Sequence, residues 1–457
     1  MRMKPFVAVG MGMLLLLLCP RVDWAQSEDR VRQLEQDLSR MRQDIEALKR
    51  ERADAGKEAY HFPITLGASI TVRYDSTSIE DKPDVRFEDE QAGFRTRDRF
   101  WAEFTPDGPV NAGIRLTTGE NSNPVSPFVR FGELGRSRSF NLDQFWIAVR
   151  PWQFFDKNPR DKLPADVAII GGRMPQPFWR GDWGTWKSEM IWDNDISPEG
   201  FAVQIKVPKL APDFSLQATA GYFVIEEVEN LRFNGLIGDT YMVAGQIKAE
   251  YKPLAAAAVS LYSFNRLNAG LFAPAFNPLT GVTLTPGASA ILLRETALQR
   301  TNIQVNYGPN ASGFVEDSFT VFNFTGQLHY PLPILPALAT EIFLVGDYAN
   351  NLSVSQAEQG YGITLGLRGG GKEGTKINPF HIWVTFRDVS NDATLSTFAD
   401  SDLGAGTGYR GFGTGVNYRI HKNLLMQVAG FAFERRIGLS QEDIYWKRVY
   451  VDLVANF

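Results

Sequence analysis

The sequence of 457 residues has one cysteine and four histidines. The cysteine, Cys19, lies in the N-terminal run "VAVGMGMLLLLLC", so the residues after it can form no disulfide among themselves. His61, His329, His381 and His421 are scattered, without nucleophile motifs or metal-ligand spacing. These scarcities point away from a hydrolytic triad and from a metal centre. The expectation is a protein that is no enzyme and needs no cofactor. Basic side chains (47) are outnumbered by acidic ones (52), and a net charge of −5 excludes a basic face for nucleic acid. Beyond residue 25 no segment reaches the roughly 18 uninterrupted apolar residues of a transmembrane helix. Aromatics at 12% and 41 glycines are plentiful, which suits many strands and turns.

The first 25 residues read as a secretory signal. Arg2 and Lys4 precede the apolar run, and "VDWAQ" offers a cleavage point after Ala25. Residues 27–58 follow as a periplasmic helix and linker. In "SEDRVRQLEQDLSRMRQDIEALKRER", Ser27 can cap a helix. Val31, Leu34, Leu38, Met41, Ile45 and Leu48 then alternate by three and four as a heptad seam. In a parallel assembly the flanking pairs would be Arg30–Glu35, Asp37–Arg42 and Asp44–Lys49, all opposite in sign. That pattern favours parallel self-association over a helix packed on its own domain.

From residue 64 to 457 the period changes to two. "ITLGASITVRY" sets Ile64, Leu66, Ala68, Ile70 and Val72 against Thr65, Gly67, Ser69, Thr71 and Arg73. The same alternation defines sixteen segments, near 64–75, 95–105, 109–119, 141–151, 166–175, 199–208, 213–225, 239–252, 254–266, 317–331, 338–349, 359–370, 377–388, 408–421, 422–435 and 446–457. Short junctions such as "PDGP", "KPL" and "HKN" alternate with connections of up to about fifty residues. An even strand count, short turns at one end and long loops at the other predict an all-β transmembrane barrel.

A soluble sandwich also alternates, but energetics separate the two. Arg115, Lys206, Lys248 and Arg387 all fall on the polar phase, and one of them facing lipid at midplane would cost roughly 2–4 kcal/mol. The predicted lumen wall comprises Arg97, Arg99, Arg115, Arg150, Arg173, Lys206, Lys248 and Arg387, with Arg419 and Arg448. Fewer acids, chiefly Glu103, Glu250 and Asp452, share that phase, which suggests an anion-leaning interior. The last nine residues, "VYVDLVANF", place Val449, Val451, Leu453, Ala455 and Phe457 on one apolar face. Pairing of this strand with the first would remove its free edge and leave Phe457 toward outer-membrane lipid.

One long connection, "PQPFWRGDWGTWKSEMIWDNDISPEG", is unusual. Trp179, Trp183, Trp186 and Trp192 stand beside Asp182, Glu189, Asp193 and Asp195. Four tryptophans gain nothing in water, so this loop should fold against a wall; an aromatic contact between copies is the competing reading.

The stretches "RLTTGENSNPVSPF", "NLDQFWIAVRP", "GGRMPQPFW" and "SEMIWDNDISPEG" resemble bacterial outer-membrane porins that carry a short N-terminal coiled coil. The resemblance implies a passive channel for small hydrophilic solutes, a homotrimer, and a final aromatic recognised by the barrel assembly machinery. It also implies a third loop folded into the lumen, with Asp182, Glu189, Asp193 and Asp195 opposing the wall arginines. An envelope tether, whose coiled coil binds cell wall or a partner, is the alternative; it would need no conductance.

Overall fold

The computed structural model describes residues 63–80, 89–105, 108–119, 126–132, 138–154, 165–181, 187–226, 239–267, 275–277, 282–284, 318–332, 339–353, 358–370, 379–402, 406–437 and 442–457, with Gln36 and Ser39. The chain divides into two units, Met1–Pro63 and Ile64–Phe457. In the first, Gln36 and Ser39 are helical and exposed. The expected signal and the seam residues Val31, Leu34, Leu38, Met41, Ile45 and Leu48 lie outside the described residues.

The second unit is a closed antiparallel barrel of sixteen strands. In chain order they are β1 (Ile64–Glu80), β2 (Asp89–Phe104), β3 (Val110–Thr117), β4 (Asn141–Val149), β5 (Asp166–Arg173), β6 (Glu199–Ala211), β7 (Phe214–Glu226) and β8 (Thr240–Tyr251). The other eight are β9 (Ala255–Asn265), β10 (Ser318–Pro331), β11 (Ala339–Asn351), β12 (Gln359–Gly369), β13 (Phe380–Val389), β14 (Tyr409–His421), β15 (Leu424–Ile437) and β16 (Glu442–Asn456). Each of the sixteen expected segments corresponds to one of these. Several run longer than their periodicity showed, β1 by five residues at its far end. A two-residue strand, Val129–Arg130, adds to the edge of β2, and Ala275–Asn277 pairs with Val282–Leu284 in a separate small sheet.

Every strand pairs with its neighbours in sequence, and β16 returns to β1 with Ile70 opposite Ala455 and Arg73 opposite Asp452. No backbone edge is left among the sixteen, which a spanning sheet requires because hydrocarbon offers no hydrogen bonds. The pleat then sorts the side chains. On β1, Leu66, Ile70, Val72 and Tyr74 point outward and are exposed, while Thr71, Arg73 and Asp75 point inward and are buried. On β16, Val449 and Leu453 are exposed, as is Phe457 just beyond it, and Tyr450, Asp452 and Val454 are buried.

The inside is not uniformly wet. Phe223, Met242, Tyr262, Phe264, Phe319, Phe343 and Trp383 project inward from β7 to β13, and all are almost fully buried. An apolar core inside a sixteen-strand barrel needs something to pack against, since barrels of this size are wide enough to hold water. Two connecting segments supply it.

Candidate pore constriction

The first segment is the connection between β5 and β6, residues 174–198. Its hinge is a glycine pair, Gly172 opposite Gly200 in the ladder, with φ of 107° and 149°. A Cβ at either position would lie 2.2 Å from a backbone oxygen, of Phe145 and Tyr222 respectively. Glycine is therefore required where the chain leaves the wall. Beyond the hinge Met174, Phe178, Met190, Ile191, Trp192 and Ile196 are buried in the lumen core. Polar bonds fix the register. The backbone N–H of Trp179 donates to Gln246 Oε1 at 2.7 Å, and Gln246 Nε2 donates back to the Trp179 carbonyl at 2.8 Å. Ser188 Oγ donates to the Asp347 carboxylate on β11. Arg180 Nη1 binds the carbonyls of Trp192 and Asp193 at 2.7 and 3.1 Å, tying the loop to itself.

The second segment, residues 390–402 between β13 and β14, was not singled out from sequence. Ala393, Leu395 and Ala399 join the core, and Thr394, Ser396 and Asp400 are equally buried. The two segments are hydrogen-bonded together. Asp193 N–H donates to the Phe398 carbonyl at 2.7 Å, Asp400 N–H to the Glu189 carbonyl at 2.9 Å, and Ser401 N–H to Asp193 Oδ2 at 2.9 Å. The Trp192 and Phe398 rings stack with centroids 5.7 Å apart. Asp400 also accepts from Arg387 of β13. Arg387 is thus an inward residue held by this segment.

Opposite this double layer lies a charged wall. Arg73 is clasped bidentately by Asp452 at 2.8 and 2.9 Å and donates to Asp402 at 3.1 Å. Its guanidinium sits between the Phe128 and Tyr450 rings, 4.1 and 3.9 Å from their centroids. Arg448 holds Asp75 with two bonds of 2.9 Å and reaches Asp402 at 3.0 Å. Arg97 and Arg99 converge on one carboxylate, Asp195, at 3.1 and 2.7 Å. Arg115 binds Asp143 at 2.5 Å and Ser197 at 3.2 Å. Between wall and loops is a polar cavity of about 220 Å³, lined by Arg73, Arg97, Arg99, Asp195, Asp402 and Asp452 among others.

The loop acids differ in protonation. Burial raises the Asp195 carboxyl, but the guanidiniums of Arg99 and Arg97 outweigh it and hold the group below the usual range. Asp193 is pushed up to about 8, first by burial and then by the Asp195 charge. Burial, followed by Asp400 and Asp193, pushes Glu189 well above the ordinary value.

Other expected site residues fall elsewhere. Arg150 (3.6 Å from Asp166), Lys206 and Lys248 (3.0 Å from Glu250) are inward but sit at the short-turn end of the barrel. Arg173 takes the outward phase instead: it faces Phe145 and Glu199 across its two ladders, and Phe145 is exposed on the outer surface. Gly171 and Gly172 carry no side chain to mark the alternation, so the period could not be read there. Asp182, Trp183 and Trp186 lie outside the described residues. Further inward acids, Asp75 and Asp143, balance more of the wall arginines than the sequence suggested, while inward Asp347 is bonded to Ser188, Asn323 and Thr325. Asp143 is hidden by a register shift at Arg115/Leu116, which turns both Asp143 and Gln144 inward.

A sixteen-strand barrel, apolar outside and charged within, narrowed by inward loops, has the build of a channel. The sequence matches the family described as "putative porin" over residues 22–434. The chain belongs to this porin family. A porin forms a channel through the outer membrane, and that is the work of this barrel. A search of the curated proteins finds no match. Among solved structures the porin is similar to Pseudomonas putida OprB in its high-pH form, at 11% identity and a TM-score of 0.49, over 88% of this chain and 96% of that one. It is also similar to a mutant of Rhodopseudomonas blastica porin, at 12% identity and a TM-score of 0.40, over 86% of this chain and all of that one. The barrel assignment rests on the closed ladder itself.

Proposed function

We propose that small hydrophilic solutes and ions cross this porin through the polar gap between the paired inward segments and the wall of β1, β2, β15 and β16. The arrangement of the lumen carries this reading: aromatic and aliphatic side chains pack its inside from β7 round to Phe431 and Phe433 of β15, and the charged cavity lies against β1, β2 and β16. Asp182, Glu189, Asp193 and Asp195 act as the constriction acids, with Arg97, Arg99 and Arg115 opposite them. Arg150, Lys206 and Lys248 line the mouth at the short-turn end.

Selectivity follows from which charges remain unbalanced. Arg73, Arg95 and Arg448 alternate with Asp75, Asp402 and Asp452, so that cluster is close to neutral. Arg97 and Arg99 share one ionised acid, while Asp193, pushed up to about 8, is largely protonated at neutral pH and Glu189 is shifted in the same direction by burial. A small positive excess at the gap favours anions, and salt screening over about 10 Å at 0.1 M keeps the preference modest.

In the cell, residues 1–25 are removed, residues 27–58 form a coiled coil in the periplasm, and the barrel stands in outer-membrane lipid as a homotrimer. Phe457 is the residue that the assembly machinery reads. Liposome swelling with the purified full-length protein and neutral solutes of graded size tests the channel. Swelling should be fast for small sugars and fall off steeply with solute size. Swelling no faster than in protein-free liposomes, for every solute, would favour a tether.

A further inference from the structure

A second polar pocket lies inside the barrel and shares no residue with the constriction cavity. It measures about 240 Å³ and is lined by Trp179, Lys248, Glu250, Lys252, His329 and Arg368 among others. The inward segment supplies its aromatic side. Both backbone groups of Trp179 are clamped to Gln246, which places the indole beside Lys248, the next inward residue along β8. The Lys248 ammonium lies 5.1 Å from the centre of the Trp179 ring. Trp192 of the same segment is packed into the core, but Trp179 is only half-buried. An indole left over a polar pocket offers a flat apolar surface to whatever enters.

The charges around it do not cancel. Lys248 holds Glu250 at 3.0 Å. Arg368 lies 3.7 Å from Glu341, and His329 Nδ1 donates to that same carboxylate. Lys252, exposed in the turn after β8, pairs with no carboxylate among the described residues. Lys248, Lys252 and Arg368 therefore face two acids, Glu250 and Glu341, and one positive charge is left over. An apolar cavity of about 150 Å³ already admits benzene. This pocket has room for a single ring and a polar substituent.

We propose that the pocket binds a small monocarboxylate with a flat apolar body, its ring on Trp179 and its carboxylate met by Lys248 and Lys252. The proposal rests on the channel reading for the arrival of the solute and adds a solute class to it. An inorganic anion would use the charge and leave the indole uncovered. A neutral polyol would leave the surplus cation without a partner. The bound acid also touches the inward segment, and a ligand that binds only the docked segment stabilises the docked state.

Benzoate is the probe, compared with benzyl alcohol (ring without charge), acetate (charge without ring) and glucose. Isothermal titration calorimetry on the purified full-length protein in detergent should show benzoate bound about tenfold tighter than each of the three. Trp179→Leu keeps the backbone bonds to Gln246 and should weaken benzoate by about five- to tenfold. Lys252→Glu, in an exposed turn, should weaken benzoate by about tenfold and leave benzyl alcohol unmoved. Saturating benzoate should also slow proteolysis within residues 187–198. Benzyl alcohol or acetate binding as tightly as benzoate would overturn the proposal, since half of the site would be idle. Tighter binding of glucose would overturn the ligand class. No binding of benzoate, or binding indifferent to both substitutions, would overturn the pocket itself. None of these measurements needs conductance, so benzoate bound by a protein that does not conduct would overturn the channel reading alone.

Discussion

Phe457 and Ala68 exchange both backbone hydrogen bonds: the Phe457 N–H donates to Ala68 at 2.9 Å, and the Ala68 N–H donates back at 3.2 Å. This rung extends the β16–β1 ladder that closes the barrel, and the Phe457 ring stands exposed on the outer surface. One residue therefore serves both closure and the apolar belt.

Deleting Phe457 should impair assembly far more than synthesis or export, because both bonds of the rung and the outward ring go together. Heat-modifiable migration of the membrane-fraction protein measures the folded barrel. A truncated protein that shows the normal folded band would refute a role for Phe457 in closure.

Arg73 and Asp452 form a deeply enclosed ion pair of the wall. Asp452→Ala should destabilise the barrel by about 3–5 kcal/mol, since it strands a buried guanidinium. Replacing both partners with apolar residues, Arg73→Met with Asp452→Leu, should cost less than the single change. Denaturant unfolding in detergent reads both; equal losses would show that Asp402 and the flanking rings suffice to hold Arg73.

Docking of the two inward segments should weaken as pH rises. Asp193 titrates near 8 when folded, against about 3.9 unfolded. A raised folded value means the contribution is fully present below about 4 and is lost as pH climbs through about 8. Glu189 is raised as well and acts in the same direction. Proteolysis within residues 187–198 should therefore accelerate between pH 6.5 and pH 9.5, and Asp193→Asn, which keeps the acceptor without the charge, should flatten the response. Equal cleavage at both pH values in the parent protein would contradict this.

Much of the barrel is legible in the sequence because its two environments differ so strongly. Oil outside and charge inside impose a period of two, and sixteen segments show it. The failures occur where the period carries no information. Gly171 and Gly172 erase it before Arg173, and the register shift beside Arg115 breaks it at Asp143. The segment "SNDATLSTFADSD" reads as a solvated loop, yet Thr394 and Ser396 are fully buried. Its place is set by backbone bonds to residues 189 and 193, some two hundred positions away, and such bonds leave no local signature. The tryptophan-rich connection was easier to single out: an excess of aromatics needs a surface to cover them.

Planar-bilayer recording of the purified porin in a salt gradient, at pH 6.5 and again at pH 9.5, tests the constriction most directly. Stepwise conductance should appear, with a zero-current potential on the anion side at pH 6.5. The potential should shift toward cations at pH 9.5 as Asp193 ionises, and Arg97→Glu with Arg99→Glu should drive it there at both pH values. A parent channel that prefers cations at pH 6.5, or a reversal potential that ignores both pH and the double substitution, would show that ions do not pass alongside the Arg97–Arg99–Asp195 cluster.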